Sequence, residues 1–100
     1  MADDQDLEFE WDEGKNLRNR LVHNVDFSYA ALIFDGNLIE EDDLRRDYGE
    51  RRIITTGRIQ EEFITVVFTW RGKIRRIISA RYASKRERRD YNTAYPEADY

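Results

Sequence analysis

The octapeptide Phe63-Ile64-Thr65-Val66-Val67-Phe68-Thr69-Trp70 constrains the fold of this chain more than any other stretch. Every position in it is β-branched or aromatic, and a run apolar on both faces belongs at the centre of a sheet. Before it, Arg52 to Ile59 is also rich in β-branched residues, and Ile74 to Tyr82 follows a tight turn at Arg71-Gly72. Three strands joined by short loops predict an antiparallel meander with the octapeptide in the middle. One hundred residues suit one hydrophobic core, so the flanking segments must pack on this sheet.

Those segments read as helices with one additional strand. Leu7, Phe9 and Trp11 alternate with Glu8 and Glu10, the period of a short strand at a sheet edge. Asp12 caps a helix that places Leu17, Leu21 and Val25 on one face and gathers Asn16, Asn19, Arg20 and His23 on another. Asn24 breaks it, and Asp26 caps a second helix whose apolar stripe is Phe27, Ala30, Ala31 and Phe34. This helical hairpin ends at Asp35-Gly36-Asn37, and Glu40 to Tyr48 reads as a charged, exposed and mobile connection. Ser84 followed by Glu87 is a capping box opening the last helix, and Pro96 marks its end. The predicted class is α+β: an antiparallel β-sheet with an N-terminal helical hairpin and a C-terminal helix, in the order β-α-α-β-β-β-α. One domain spans 7–95, between an acidic flexible start at 1–6 and a tail at 96–100.

The net charge of -4 conceals a strong polarity. Met1 to Glu13 carries seven acidic residues and no cation, whereas nine of the 17 Lys and Arg residues lie between Arg71 and Arg89, opposed only by Glu87. Cations concentrated on one strand and the helix after it form a surface for an anion, whether RNA, DNA or an acidic protein. The chain has no cysteine and one histidine, which excludes disulfides and thiolate zinc sites. An acidic start is not a signal peptide, and no apolar run approaches the length of a bilayer, so a cytoplasmic protein with no membrane association is expected.

No Gly-rich phosphate loop, nucleophile elbow, dinucleotide fingerprint or calcium loop is present, which leaves chemistry on a polyanion without metal or cofactor, or binding alone. If Ile74 to Tyr82 is a regular strand, Arg75, Ile77, Ser79 and Arg81 point one way, and Arg76 shares the other face with Ile74, Ile78, Ala80 and Tyr82. Arginine at a strand position needs a partner for its guanidinium, an acid or a ligand phosphate. His23 is the one side chain whose ordinary pKa lies near neutrality, with Tyr91, Glu50 and Glu87 as substitutes if their neighbours tune them. RNA cleavage suits such a set, because the substrate's 2′-hydroxyl is the nucleophile and the protein supplies proton transfer and cations for the phosphate.

Phe9 to Phe34 (FEWDEGKNLRNRLVHNVDFSYAALIF), Glu50 to Ile59 (ERRIITTGRI) and Val66 to Tyr91 (VVFTWRGKIRRIISARYASKRERRDY) together resemble the BrnT family of bacterial ribonuclease toxins. RIISAR followed by a basic ERR helix is the most specific element. The chain reads Val22-His23-Asn24-Val25 where relatives usually read Lys-His-Gly-Val. The resemblance implies a RelE-like fold and metal-independent endoribonuclease activity that inhibits translation. It also implies neutralisation by a BrnA-type ribbon-helix-helix antitoxin in a hetero-oligomer, with operator DNA bound only through that antitoxin. On matching positions it makes His23, Arg52, Arg76 and Arg81, with Glu50 and Tyr91, candidates for catalysis or phosphate binding. Lys15, Asn19, Arg20, Lys73, Arg75, Lys85, Arg86, Arg88 and Arg89 become candidates for contacts with RNA or antitoxin. A non-catalytic nucleic-acid-binding or antitoxin-binding module, a degenerate toxin, is the alternative.

Overall fold

The computed structural model describes residues 7–97, so the acidic start at 1–6 lies outside the described residues, as does the end at 98–100. Its sheet contains β1 (Phe9–Glu10), β2 (Ile39–Asp42), β3 (Ile53–Ile59), β4 (Glu62–Arg71) and β5 (Ile74–Tyr82), in spatial order β1-β5-β4-β3-β2. β3, β4 and β5 form the expected antiparallel meander, and β4 is central, buried from Ile64 to Thr69. Gln60 and Gly72, at φ 54° and 62°, provide the left-handed conformations that the two hairpin turns require. β1 runs parallel to β5 at one edge.

α1 (Glu13–His23) and α2 (Phe27–Ala30), the latter continuing as a 3-10 turn over Ala31–Asp35, cover one face of the sheet. Asp12 and Asp26 cap the two helices as expected, and Asn24 ends α1 in a left-handed conformation at φ 61°. Phe27, Ala30 and Ile33 are wholly buried against Ile64, Val66, Phe68 and Ile77, and the Phe34 ring packs between Phe9 and Phe68 with centroids 5.4 and 5.5 Å away. The 3-10 turn presses so closely on β3 that a Cβ at Gly57 would lie 2.6 Å from that of Ile33. α3 (Lys85–Ala94) lies on the opposite face, with Tyr91 against Phe63 and its hydroxyl donating to the Asn37 carbonyl at 3.1 Å. No helix of the described residues is long and apolar enough to cross a membrane.

Two expectations are corrected. Ile39–Asp42, at the start of the predicted connection, is an edge strand paired antiparallel with β3, so the order becomes β-α-α-β-β-β-β-α. Three of its four residues are acidic and exposed, so the backbone ladder recruits it together with polar contacts, Thr55 donating to Glu40 at 3.0 Å and Arg51 to Asp42 at 2.8 Å. Asp43, next in the chain, is buried and held well below the usual carboxylate range by hydrogen bonds from Arg45.

The second correction concerns α1, whose polar side faces inward. Asn16 and Asn19 are buried, while Leu17 and Leu21 are 51% and 79% exposed. Hydrogen bonding explains the inversion. Asn19 donates to the carbonyls of Val25 and Ala80 at 2.9 and 2.8 Å and accepts from the Ala80 N–H at 3.2 Å, pairing with the free edge of β5 as a further strand would. Asn16 accepts from the Phe27 N–H at 3.0 Å, inside the first turn of α2. Both amides supply partners for backbone groups that burial would otherwise orphan.

Candidate functional site

Pairing register assigns every strand residue to a face. Along β4 and β5, Thr69 opposes Arg76 and Thr65 opposes Arg81, and the two threonines lie on the same face. Arg76 and Arg81, an odd number of residues apart, therefore also share a face. A β-bulge makes this possible: Val67 opposes Ser79 while Phe68 opposes Ile77, leaving Ile78 as the extra residue. Regular alternation predicts these arginines on opposite faces. The bulge overturns that expectation and also lets Ile77 and Ala80 both enter the core.

The face so defined is the one that α3 partly covers. Beyond the helix it carries Arg76 and Arg71, with Arg52 immediately before β3. Each guanidinium has a carboxylate. Arg76 Nη1 donates to Glu10 Oε2 at 2.8 Å, and Glu50 accepts from Arg52 Nε at 3.2 Å and from Arg71 Nη2 at 3.4 Å. The Arg52 guanidinium also lies 4.2 Å from the centroid of the Tyr48 ring. Arg81 donates from Nη1 and Nη2 to the two oxygens of Glu87 at 2.8 and 2.9 Å, and Glu87 accepts further from Thr65 and the Ser84 N–H. Burial alone would raise the Glu87 carboxyl, but the Arg81 guanidinium and these hydrogen bonds outweigh it and hold the pKa at about 2. The side chains of Arg52, Arg76 and Arg81 are 21%, 31% and 35% exposed, so all three are oriented by protein yet open to a ligand.

His23 occupies the last turn of α1, exposed and without a hydrogen-bond partner among the described residues. It lines a groove of about 340 Å³ between α1 and the free edge of β5, with Lys15, Arg18 and Val22 on one side and Ile78 and Ser79 on the other. Ser79 opposes Val67, so it belongs to the face of Arg76 and Arg81, and the groove adjoins that face.

The remaining candidates are dispersed. Tyr91 is buried with its hydroxyl bound to backbone, and burial raises its pKa further. Asn19 uses its amide inside the fold, Arg20 pairs with Asp26 at 2.9 Å, and Arg86 lies 3.6 Å from Glu41. Arg75 points to the other face, its guanidinium 4.3 Å from the Phe34 centroid and 4.6 Å from that of Trp70. Lys73, Lys85, Arg88 and Arg89 are exposed, with no ion pair among the described residues. Glu10 and Arg71 were not anticipated. The alternation of Glu10 with Phe9 and Trp11 was its only signal, and Arg71 was the first cation of the basic run.

Partly exposed guanidiniums fixed by carboxylates on one sheet face define a small α+β protein with a preordered cationic surface. The family model described as "Ribonuclease toxin, BrnT, of type II toxin-antitoxin system" matches residues 11–87, and the chain belongs to that family. Membership makes it a ribonuclease toxin with an antitoxin partner. No curated protein matches the chain.

Proposed function

We propose that this protein is a metal-independent endoribonuclease that cleaves RNA, inhibits translation and is neutralised by a BrnA-type antitoxin, on a fold of the RelE-like kind. The observation that carries the reading is that Arg52, Arg76 and Arg81 share one face of the sheet, each held by an acid. Two of these guanidiniums bind the non-bridging oxygens of the scissile phosphate, and charge building on those oxygens as the 2′-hydroxyl attacks is met by donors already in place. Glu50 and Glu10 keep the arginines extended, and Glu50 is also a base candidate between two guanidiniums. His23, at the end of the adjoining groove, takes or returns the proton at the 2′-hydroxyl or the leaving oxygen. Lys73, Lys85, Arg88 and Arg89 extend the positive field along the RNA backbone on either side.

The test is cleavage of RNA by the purified chain in excess chelator. Arg76→Gln and Arg52→Gln each leave behind an acid that solvent reaches, so the fold is kept, while kcat/KM falls roughly a hundredfold. Arg81→Lys retains a cation for Glu87 and tests the planar guanidinium separately. Intact RNA after prolonged incubation at stoichiometric protein rejects the enzyme and leaves the binding module.

A further inference from the structure

α1 turns its hydrophobic residues to solvent. Leu17, Leu21 and Val22 are 51%, 79% and 66% exposed, all more than half of what an extended chain would show, because Asn16 and Asn19 occupy the inward side. Polar side chains are the cheaper residues to expose, so a helix that reverses the arrangement presents a face made to be covered. Lys15 and Arg18 flank this ridge, and the groove beside it is lined by Lys15, Arg18, Val22, His23 and Ile78 without one acidic side chain. We infer that the outer face of α1, with the groove between α1 and β5, is the docking site of the antitoxin, and that it takes a segment alternating apolar and acidic residues.

Charge selects this occupant. A second copy of the chain, seated face to face, would oppose the groove with the same lining, in which Lys15 and Arg18 meet no acid. RNA would satisfy the cations but leave the leucines in water. An acidic, apolar peptide satisfies both, in the manner of a helix or strand laid along a mixed groove. The position explains inhibition as well, because the groove contains His23 and opens beside Ser79 on the arginine face. An occupant shuts off the approach of RNA without touching Arg52, Arg76 or Arg81.

This inference rests on the type II reading, and the experiment separates the two. The probe is the protein product of the open reading frame adjoining the toxin gene, titrated calorimetrically into the full chain. Leu17→Gln with Leu21→Gln, and separately Arg18→Glu, should each weaken binding roughly thirtyfold or more, the size expected of a central interface residue. The leucine variant should cleave RNA in the free state at the unchanged rate, and both variants should melt at the unchanged temperature. A product that binds both variants as tightly as the parent overturns the docking site and leaves the toxin reading standing. A product that does not bind the parent overturns both. If the leucine variant loses affinity for RNA, or sedimentation shows a dimer of the parent that Leu21→Gln dissociates, the occupant is RNA or a second copy and the inference is wrong.

Discussion

Replacing Asn19 by alanine removes three hydrogen bonds to backbone that has no water to turn to: two donated to the carbonyls of Val25 and Ala80 and one accepted from the Ala80 N–H. An orphaned buried polar group costs about 1–3 kcal/mol, so Asn19→Ala should lower the unfolding free energy by roughly 3 kcal/mol in a denaturant titration. The more hydrophobic Asn19→Leu should do no better, and a neutral result there would mean that the amide is not the tie between α1 and β5. Glu87 holds the corresponding place on the other face. Its Arg81 partner is about a third exposed on the side chain, so Glu87→Ala should cost roughly 2 kcal/mol, below the penalty for breaking a fully buried pair.

Among the elements, β5 determines whether there is a site. Its bulge at Ile78 rotates the second half of the strand relative to the first, which brings Arg76 and Arg81 to one face and admits both Ile77 and Ala80 to the core. Deleting Ile78 leaves Arg76 and Arg81 an even number of residues apart, so a regular strand keeps both on one face with Ile77 and Ala80 on the other. The expected outcome is a protein that folds and keeps RNA cleavage, whereas inserting an alanine after Ile77 in that deletion variant should restore the parent's bulge; a deletion variant that melts like the parent yet has lost cleavage would mean that the shared face is not what the chemistry needs. The elements themselves were largely legible. The caps at Asp12, Asp26 and Ser84, the left-handed Asn24 and the central β4 follow from side chains that act on their own backbone neighbourhood or on water. β2 was not legible, because Ile39–Asp42 has no apolar alternation and takes strand form from the ladder that β3 offers and from contacts of its acids with Thr55 and Arg51.

The molecule as a whole is a set of carboxylates and guanidiniums tied across a small core, and its stability must follow their titration. Asp26, hydrogen-bonded by Ser28 and Arg20, and Glu87 both titrate at about 2 in the folded chain, below their ordinary values of 3.8 and 4.5. The unfolded chain therefore binds protons first as the pH falls, and the stabilisation, complete above the ordinary values, is lost between about 4.5 and about 2. Urea unfolding across that window should show stability declining steadily, with a shallower decline for Glu87→Gln. An equal slope in the two proteins would remove Glu87 from the acid response. The same pairings show how a chain of net charge -4 keeps cations on this face: Glu10, Glu50 and Glu87 serve as tethers for individual arginines.

Strand propensity, capping chemistry and the placement of cations reside in contiguous residues, so the meander, the helix starts and the basic run from Arg71 to Arg89 could be read along the chain. Family membership could be read in the same way, as a recurring string. The inward face of α1 and the shared face of Arg76 and Arg81 could not, because each depends on a backbone group elsewhere. The unpaired edge of β5 at Ala80 draws Asn19 inward against the hydrophobic pattern of its own helix. One extra residue opposite Val67 and Phe68 changes the parity of a strand that regular alternation would divide between faces differently. Periodicity records what a segment would bury if water were the only competitor, and packing against the sheet adds hydrogen-bonding partners and register that local spacing does not contain.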